Sequence, residues 1–260
     1  MEAQRVALRP RAFVGVAGPD AEDYLQRMLS NDVAALAVGE SCEALLLTPK
    51  ARVIAPMRVL RRAPDDFLLL TEPDLGETLR DQLVRMRFAA KAAIELEEHT
   101  SALVFGAAGA GVRNDDYGEA AVEVLDADLE PTLDEGALEA MRIEAGTPAW
   151  GREIDDRVLP AEAGLIGRAV SLTKGCYPGQ EPIARLHYRG HANRGLRVLT
   201  VDGDDLPAPD EELSLGEKVV GRVTSAARMN GGIVALAYVR AEVPPDAELA
   251  VGRSKARSLH

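Results

Sequence analysis

Apolar residues fall at helical spacing in two stretches of the N-terminal half. In "GPDAEDYLQRMLSNDV", residues 18–33, Ala21, Leu25, Met28 and Leu29 share one face. Pro19 suits the first helical position, and Asp20, Glu22 and Asp23 occupy the positive first turn. In "EPDLGETLRDQLVRMRF", residues 72–88, Pro73 is followed by Leu75, Leu79, Leu83 and Met86 at the same period. Short apolar runs lie between and after them: "CEALLLT", "RVIAPMRVL", "DFLLLT", "AAIELEE" and "SALVF". "RRAPD" joins the second run to the third as a hairpin-like connection. Hairpins in place of regular βαβ alternation predict an α+β body with antiparallel sheets. After the loop "DGDDLPAPDEEL" come "EKVVGRVTSAA", "GGIVALAYV" and "AELAV", which read as strands without helices. Residues 195–260 are therefore expected to form a small all-β module.

Composition narrows the function classes. The 260 residues carry 30 Lys and Arg against 42 Asp and Glu, a formal net charge of -12. That balance argues against nonspecific binding to nucleic acid or to an anionic membrane. Cys42 and Cys176 are the only cysteines, too few for a disulfide scaffold. No C-x-x-C or H-E-x-x-H spacing occurs, so no metal is expected. No run approaches the ~18 apolar residues of a membrane span, and the first residues lack a signal-peptide core. A soluble cytoplasmic protein with reduced thiols is expected, monomeric and without direct nucleic-acid contact. "GAAGAGVRNDDYGEA", residues 106–120, lacks the Lys-Ser/Thr of a phosphate loop and is read as a surface loop.

Chemistry concentrates around one thiol. Residues 167–197 hold Arg168, Lys174, Arg185, Arg189, Arg194 and Arg197 with one acid, Glu181, a local charge of +5. Guanidinium forks suit carboxylates or phosphates, so an anionic ligand is one reading. Cys176 lies inside this run, between Gly175 and Gly179. Neighbouring cations would favour its thiolate. A buried structural cysteine in a turn, its cations pairing with the acidic remainder, is the other reading. Cys42 is expected in or beside a strand, and Trp150 in the core. Glu144 stands where a short amphipathic segment meets Gly146 and Pro148. It could hydrogen-bond an amino-pyrimidine edge, or it could be an ordinary surface glutamate.

"KGCYPGQE" resembles the K-G-C-Y-x-G-Q-E motif of the YgfZ-type folate-binding proteins, relatives of the glycine cleavage T-protein, an aminomethyltransferase. "DAEDYLQRMLSNDV", "RIEAGTPAWGREI", "LPAEAGL" and "ARLHYRGHANRGLRVL" look like the flanking blocks of that family. "LLLTPKARVIAPMRVL" is similar to another block, with Ala51 where glycine is usual. The resemblance covers nearly the whole chain and is weakest from 106 to 130.

It implies two interleaved α+β units with antiparallel sheets around a central folate opening, plus a small C-terminal β-barrel. Residues 1–50 with 125–194 would form the first unit, 51–124 the second and 195–260 the barrel. It implies tetrahydrofolate as cofactor, polyglutamylated, with Glu144 on the pterin and Lys174, Tyr177, Gln180, Arg185 and Arg194 as further contacts. Cys176 would be the functional thiol. T-proteins carry Lys-Gly-Asp-Phe where this chain has Lys174-Gly175-Cys176-Tyr177. They also carry an essential mid-chain aspartate, whose place Asp115 or Asp116 would take. The implied role is maintenance or repair of iron–sulfur clusters in client proteins, including tRNA-modifying enzymes. Tetrahydrofolate-dependent aminomethyl transfer is the alternative.

Overall fold

The computed structural model describes residues 4–106, 111–229 and 231–259. From the N-terminus, β1 (Val6–Leu8) and β2 (Ala12–Ala17) lead into α1 (Ala21–Met28). Strands β3 (Ser41–Leu47), β4 (Val53–Ala63) and β5 (Asp66–Thr71) precede α2 (Gly76–Met86). Then come β6 (Ala93–Glu97), β7 (Ser101–Phe105), β8 (Val112–Asn114) and β9 (Ala121–Leu125). Three helices follow, α3 (Glu135–Glu144), α4 (Ile166–Ala169) and α5 (Gln180–Arg189). The chain ends in β10 (Arg194–Val201), β11 (Glu212–Leu215), β12 (Lys218–Met229), β13 (Gly232–Arg240), β14 (Leu249–Val251) and β15 (Ser254–Ser258).

The strands make three antiparallel assemblies: a five-stranded sheet β3-β4-β5-β2-β6, a four-stranded sheet β1-β7-β9-β8, and a closed barrel β10-β13-β12-β11-β14-β15. The α+β body and β tail read from the sequence are present. The five-stranded sheet runs across residues 50 and 51, since β3 pairs with β4. The unit boundary expected there thus falls inside one sheet.

The run "DFLLLT" shows why the layers stack. Phe67 and Leu69 face α1 and α2 in one core cluster, with Leu25, Leu79 and Leu83. Leu68 and Leu70 face the other way, onto Val112 and Leu125 of the second sheet. Alternation along a strand sends neighbours to opposite faces, so a strand covered on both faces is apolar throughout. Beyond the second sheet, α3 packs Leu138 against Leu103 and Phe105. Its Ile143 meets Val234 and Leu236 of the barrel.

Two sequence expectations change. The first helix ends at Met28, and Leu29 turns extended to bridge Leu46. Of the stretch 106–120, residues 107–110 lie outside the described residues. Residues 112–117 are no plain surface loop, because β8 pairs with β9 and Asn114 is fully buried.

The cysteine-bearing segment is fixed by backbone contact. Gly179 has φ +84°, and a Cβ there would sit 2.8 Å from the Thr48 carbonyl and 3.0 Å from the Ala51 Cα. Ala51 itself has φ 59°, a left-handed value that explains why glycine is usual at that position. Gly179→Ala is expected to cost about 2–4 kcal/mol, from left-handed strain plus overpacking. Gly175→Ala, with nothing within 4 Å of the new methyl, should be near neutral. Paired urea titrations check this, and equal losses at both positions would contradict it.

Candidate functional site

A cleft opens between the two sheets, α3 and the segments 147–154 and 165–168. Its inner chamber is small, about 80 Å³, and is floored by Glu43, Arg58, Asp116 and Arg168. The outer chamber is about 830 Å³. The chambers share Arg9, Glu72, Tyr117, Arg142, Ala149 and Trp150, so they form one cleft. The larger volume lies in the range of small-molecule sites.

Four charges meet on the floor. Arg168, on α4, forks onto Glu43 of β3 with Nε and Nη2 at 3.0 and 2.7 Å. Its Nη2 also pairs with Asp116. Arg58, on β4, lies 3.1 Å from Glu43 and 2.9 Å from Asp116. Burial alone would push the Asp116 carboxyl up, but Arg58 and Arg168 outweigh it and hold it at about 2. The wall beside this floor carries a second network. Arg11 places two nitrogens on Glu123, at 2.9 and 3.1 Å, and Ser101 and Asn114 donate to the same carboxylate. Arg9 pairs with Glu72 at 2.6 Å, while its buried Nε has no partner among the described residues.

A third network joins α3 to the barrel. Arg142 donates to Glu153 at 3.0 Å and to the Ser225 hydroxyl at 3.1 Å. Ser225 donates to the other Glu153 oxygen at 2.6 Å, and the Tyr238 hydroxyl donates to the Glu153 carbonyl at 2.6 Å.

The expected site residues do not gather in this cleft. Glu144 is the last residue of α3, exposed, and borders neither chamber. Helical rotation turns it away, and Arg142 is the residue of that block that reaches the cleft. Lys174 is buried, and its ammonium is engaged by backbone carbonyls. Its ammonium caps the carbonyls of Leu29 at 2.8 Å and Asn31 at 2.6 Å. Burial lowers its pKa to about 8 against the pull of Asp32 and Cys42. Tyr177 is a core residue whose ring faces the Lys174 ammonium at 5.5 Å. Gln180 donates to the Lys174 carbonyl at 3.4 Å. Arg185 is exposed on α5. Arg194 pairs with Glu162 at 3.1 Å and stacks on Tyr238. Cys176 is exposed, and Cys42 lies half-buried in β3.

The expected basic cradle is thus dispersed. The segment 167–197 passes from the cleft floor through the core and along a surface helix into the barrel, so neighbours in sequence part in space. The outer chamber sets Arg9, Arg142 and Arg152 against Glu72, Asp134, Glu135 and Glu139, a mixture without cationic excess. Of the two candidate aspartates, Asp116 lines the cleft, while Asp115 is exposed and pairs with Arg113 at 3.0 Å. Trp150 packs against two core clusters and also lines both chambers. Apart from Arg168, the arginines of the cleft floor and its wall were not found from sequence, because Arg9, Arg11 and Arg58 carry no pattern beyond alternation with apolar neighbours.

The whole-chain comparisons agree with this architecture. No family model matches the chain. A tRNA-modifying protein YgfZ of Edwardsiella ictaluri is 30% identical, over 94% of this chain and 86% of that protein. The chain belongs to the YgfZ family. A YgfZ of Pectobacterium carotovorum is 26% identical over 88% of the chain and 81% of its own length. An uncharacterized Haemophilus influenzae protein is 27% identical over 88% of the chain and 86% of its own length. Among solved structures, the glycine cleavage system aminomethyltransferase T of Bartonella henselae superposes with a TM-score of 0.84. It is 20% identical and matches 99% of this chain and 85% of its own, which places the YgfZ fold beside that of aminomethyltransferase T. No helix among the described residues is long and apolar enough to cross a membrane.

Because the folded value of Asp116 lies below that of an unfolded chain, its contribution to stability is complete above about pH 4 and fades as pH falls toward 2. Asp116→Asn should therefore cost on the order of 2 kcal/mol at pH 7, with the gap from the parent closing in acid. Urea unfolding from pH 7 to pH 2.5 or so measures this, and a gap independent of pH would contradict it.

Proposed function

We propose that this protein binds a reduced folate in the central cleft and serves as an accessory factor for iron–sulfur proteins, with Cys176 as its working thiol. The cleft itself carries the reading. Trp150 and the largely buried Tyr117 line both chambers with aromatic surface suited to a flat heterocycle, and the partly exposed Arg9 guanidinium offers N–H donors beside them. The chemistry of these groups fits a tetrahydrofolate, which is at once aromatic, polar and anionic. A bound tetrahydrofolate supplies a one-carbon carrier. The chain's own residues hold it: Trp150 and Tyr117 by aromatic contact, Arg9 by donating hydrogen bonds, Arg142 by fixing the wall through its bonds to Glu139, Thr147, Glu153 and Ser225, and the charged floor by setting the depth of entry.

The state of Asp116 favours binding over transfer. A carboxylate held at about 2 by two guanidiniums is a weak base, poorly matched to proton abstraction near neutral pH. This counts against aminomethyl transfer of the T-protein kind. An indirect part in cluster maintenance is consistent with two cysteines in the chain, since a cluster takes four thiolates or their equivalents. The clients we envisage include tRNA-modifying enzymes, in line with the name of the relatives, and the setting is cytoplasmic.

Calorimetry with tetrahydrofolate tests the binding. Trp150→Leu, which keeps an apolar side chain but loses the stacking face, should weaken binding about tenfold. Glu144→Ala should leave it unchanged. Absence of binding, or a loss at Glu144 alone, would overturn the placement. The thiol is tested by iodoacetamide labelling. Burial pushes the Cys42 thiol up to about 12, whereas Cys176 is exposed, so Cys176 should label much the faster at pH 8. Cys176→Ser should keep folate affinity and fail to restore iron–sulfur enzyme activity in cells lacking the protein. Full restoration would remove the thiol from the function.

A further inference from the structure

A second cavity lies outside the cleft, between α5, the Pro49–Arg52 turn and the segment 159–166. Its volume is about 530 Å³. Four cations line it: Lys50, Arg52, Arg185 and Arg189. No carboxylate lines it, in a chain whose net charge is -12. None of the four makes an ion pair among the described residues. Among acids of the adjoining segments, Asp155 pairs with Arg157 and Glu162 with Arg194, while Glu181, one turn before Arg185 on α5, is exposed and makes no ion pair among the described residues. Arg52 donates to the Arg157 carbonyl, and Lys50, Arg185 and Arg189 stand exposed. The walls between these cations are apolar: Leu159, Ile166, Ile183 and Leu186, with Pro49, Pro160 and Pro182. The groove adjoins the cysteine loop, because Gly179 closes against Thr48 and Ala51 in the turn that carries Lys50.

We propose that this groove docks an acidic peptide segment of a protein partner, with an aliphatic side chain of the peptide seated between Leu159 and Leu186. Unpaired guanidiniums attract carboxylates and can hold them by two parallel hydrogen bonds. An apolar floor rewards a partner that also buries aliphatic surface. A γ-glutamyl chain has charge but no side chain to fill the floor. Single-stranded nucleic acid uses aromatic platforms, and no aromatic residue lines the groove. The chain's net charge of -12 also repels a long polyanion more than a short acidic peptide. The proposal is independent of folate in the central cleft.

The test uses the full chain and a fluorescein-labelled peptide alternating Asp and Glu with Leu and Ile, followed by anisotropy. Saturable binding is expected. The double variant Arg185→Glu/Arg189→Glu should weaken it about tenfold or more, through loss of charge-assisted hydrogen bonds. Arg85→Glu/Arg253→Glu makes the same change in net charge away from the groove and should alter affinity by no more than about twofold. A peptide with glycine for each Leu and Ile should also bind about tenfold more weakly. Tetrahydrofolate affinity should be the same in the Arg185→Glu/Arg189→Glu variant as in the parent, which separates this groove from the cleft. The proposal is overturned by no peptide binding, by equal loss in the two double variants, or by equal binding of the glycine peptide. It is also overturned if oligouridylate or tri-γ-glutamate displaces the label at lower concentration than unlabelled peptide.

Discussion

Two carboxylates and two guanidiniums meet at the floor of the cleft, each from a different part of the chain. Glu43 stands on β3, Arg58 on β4, Asp116 after β8 and Arg168 on α4. Taking four charges from water is costly, and only near-complete pairing offsets it. The pairing can form only when both sheets and the segment after α3 are docked together. The cluster is therefore a registration device as well as a surface. It sets the spacing of the layers, and that spacing makes the cleft. The Arg142–Glu153–Ser225 network does the same for the barrel, whose strand β12 supplies Ser225.

The "KGCYPGQE" motif gains a structural meaning from these contacts. Lys174 reaches the carbonyls of Leu29 and Asn31, just past the end of the first helix, in "LSNDV", a block far away in sequence. Ser30 and Asn31 of that block donate to the carbonyls of Ala169 and Arg168. The two blocks thus clasp each other, and Arg168 is held over the floor as a result. Tyr177 and Gly179 anchor the loop in the core and against the Thr48 turn. Cys176 is left exposed on this anchored loop, together with Gly175 and Glu181. A reactive group on a fixed mount is suited to meet a partner molecule, which the neighbouring cationic groove would also serve.

The fold was legible where periodicity is local. Strands such as "DFLLLT" and "SALVF" appear as read, because apolar runs of that length have few alternatives in a sheet. The helix at 18–33 ran too long in the reading because Leu29 continues the apolar spacing, while in space it serves a strand bridge. The site was much less legible. Its residues come from seven or more separate segments, and a charge count along the chain cannot tell a cation that faces a ligand from one that caps a carbonyl. Lys174 and Arg197 are both caps: Arg197 donates to the carbonyls of Val243 and Pro244. Glu144 lies outside the cleft for a simpler reason. Two positions along a helix reverse the direction of a side chain, and Arg142 took the inward place.

Hydrogen exchange of the full chain with and without tetrahydrofolate tests the central claim most directly. Amides slow their exchange where a ligand rests on their segment or locks its neighbours. The account expects added protection in peptides covering 114–118 and 147–154, which border the cleft, and none in the peptide covering α5. Protection confined to α5 and the Pro49–Arg52 turn, or none anywhere at saturating folate, would contradict it.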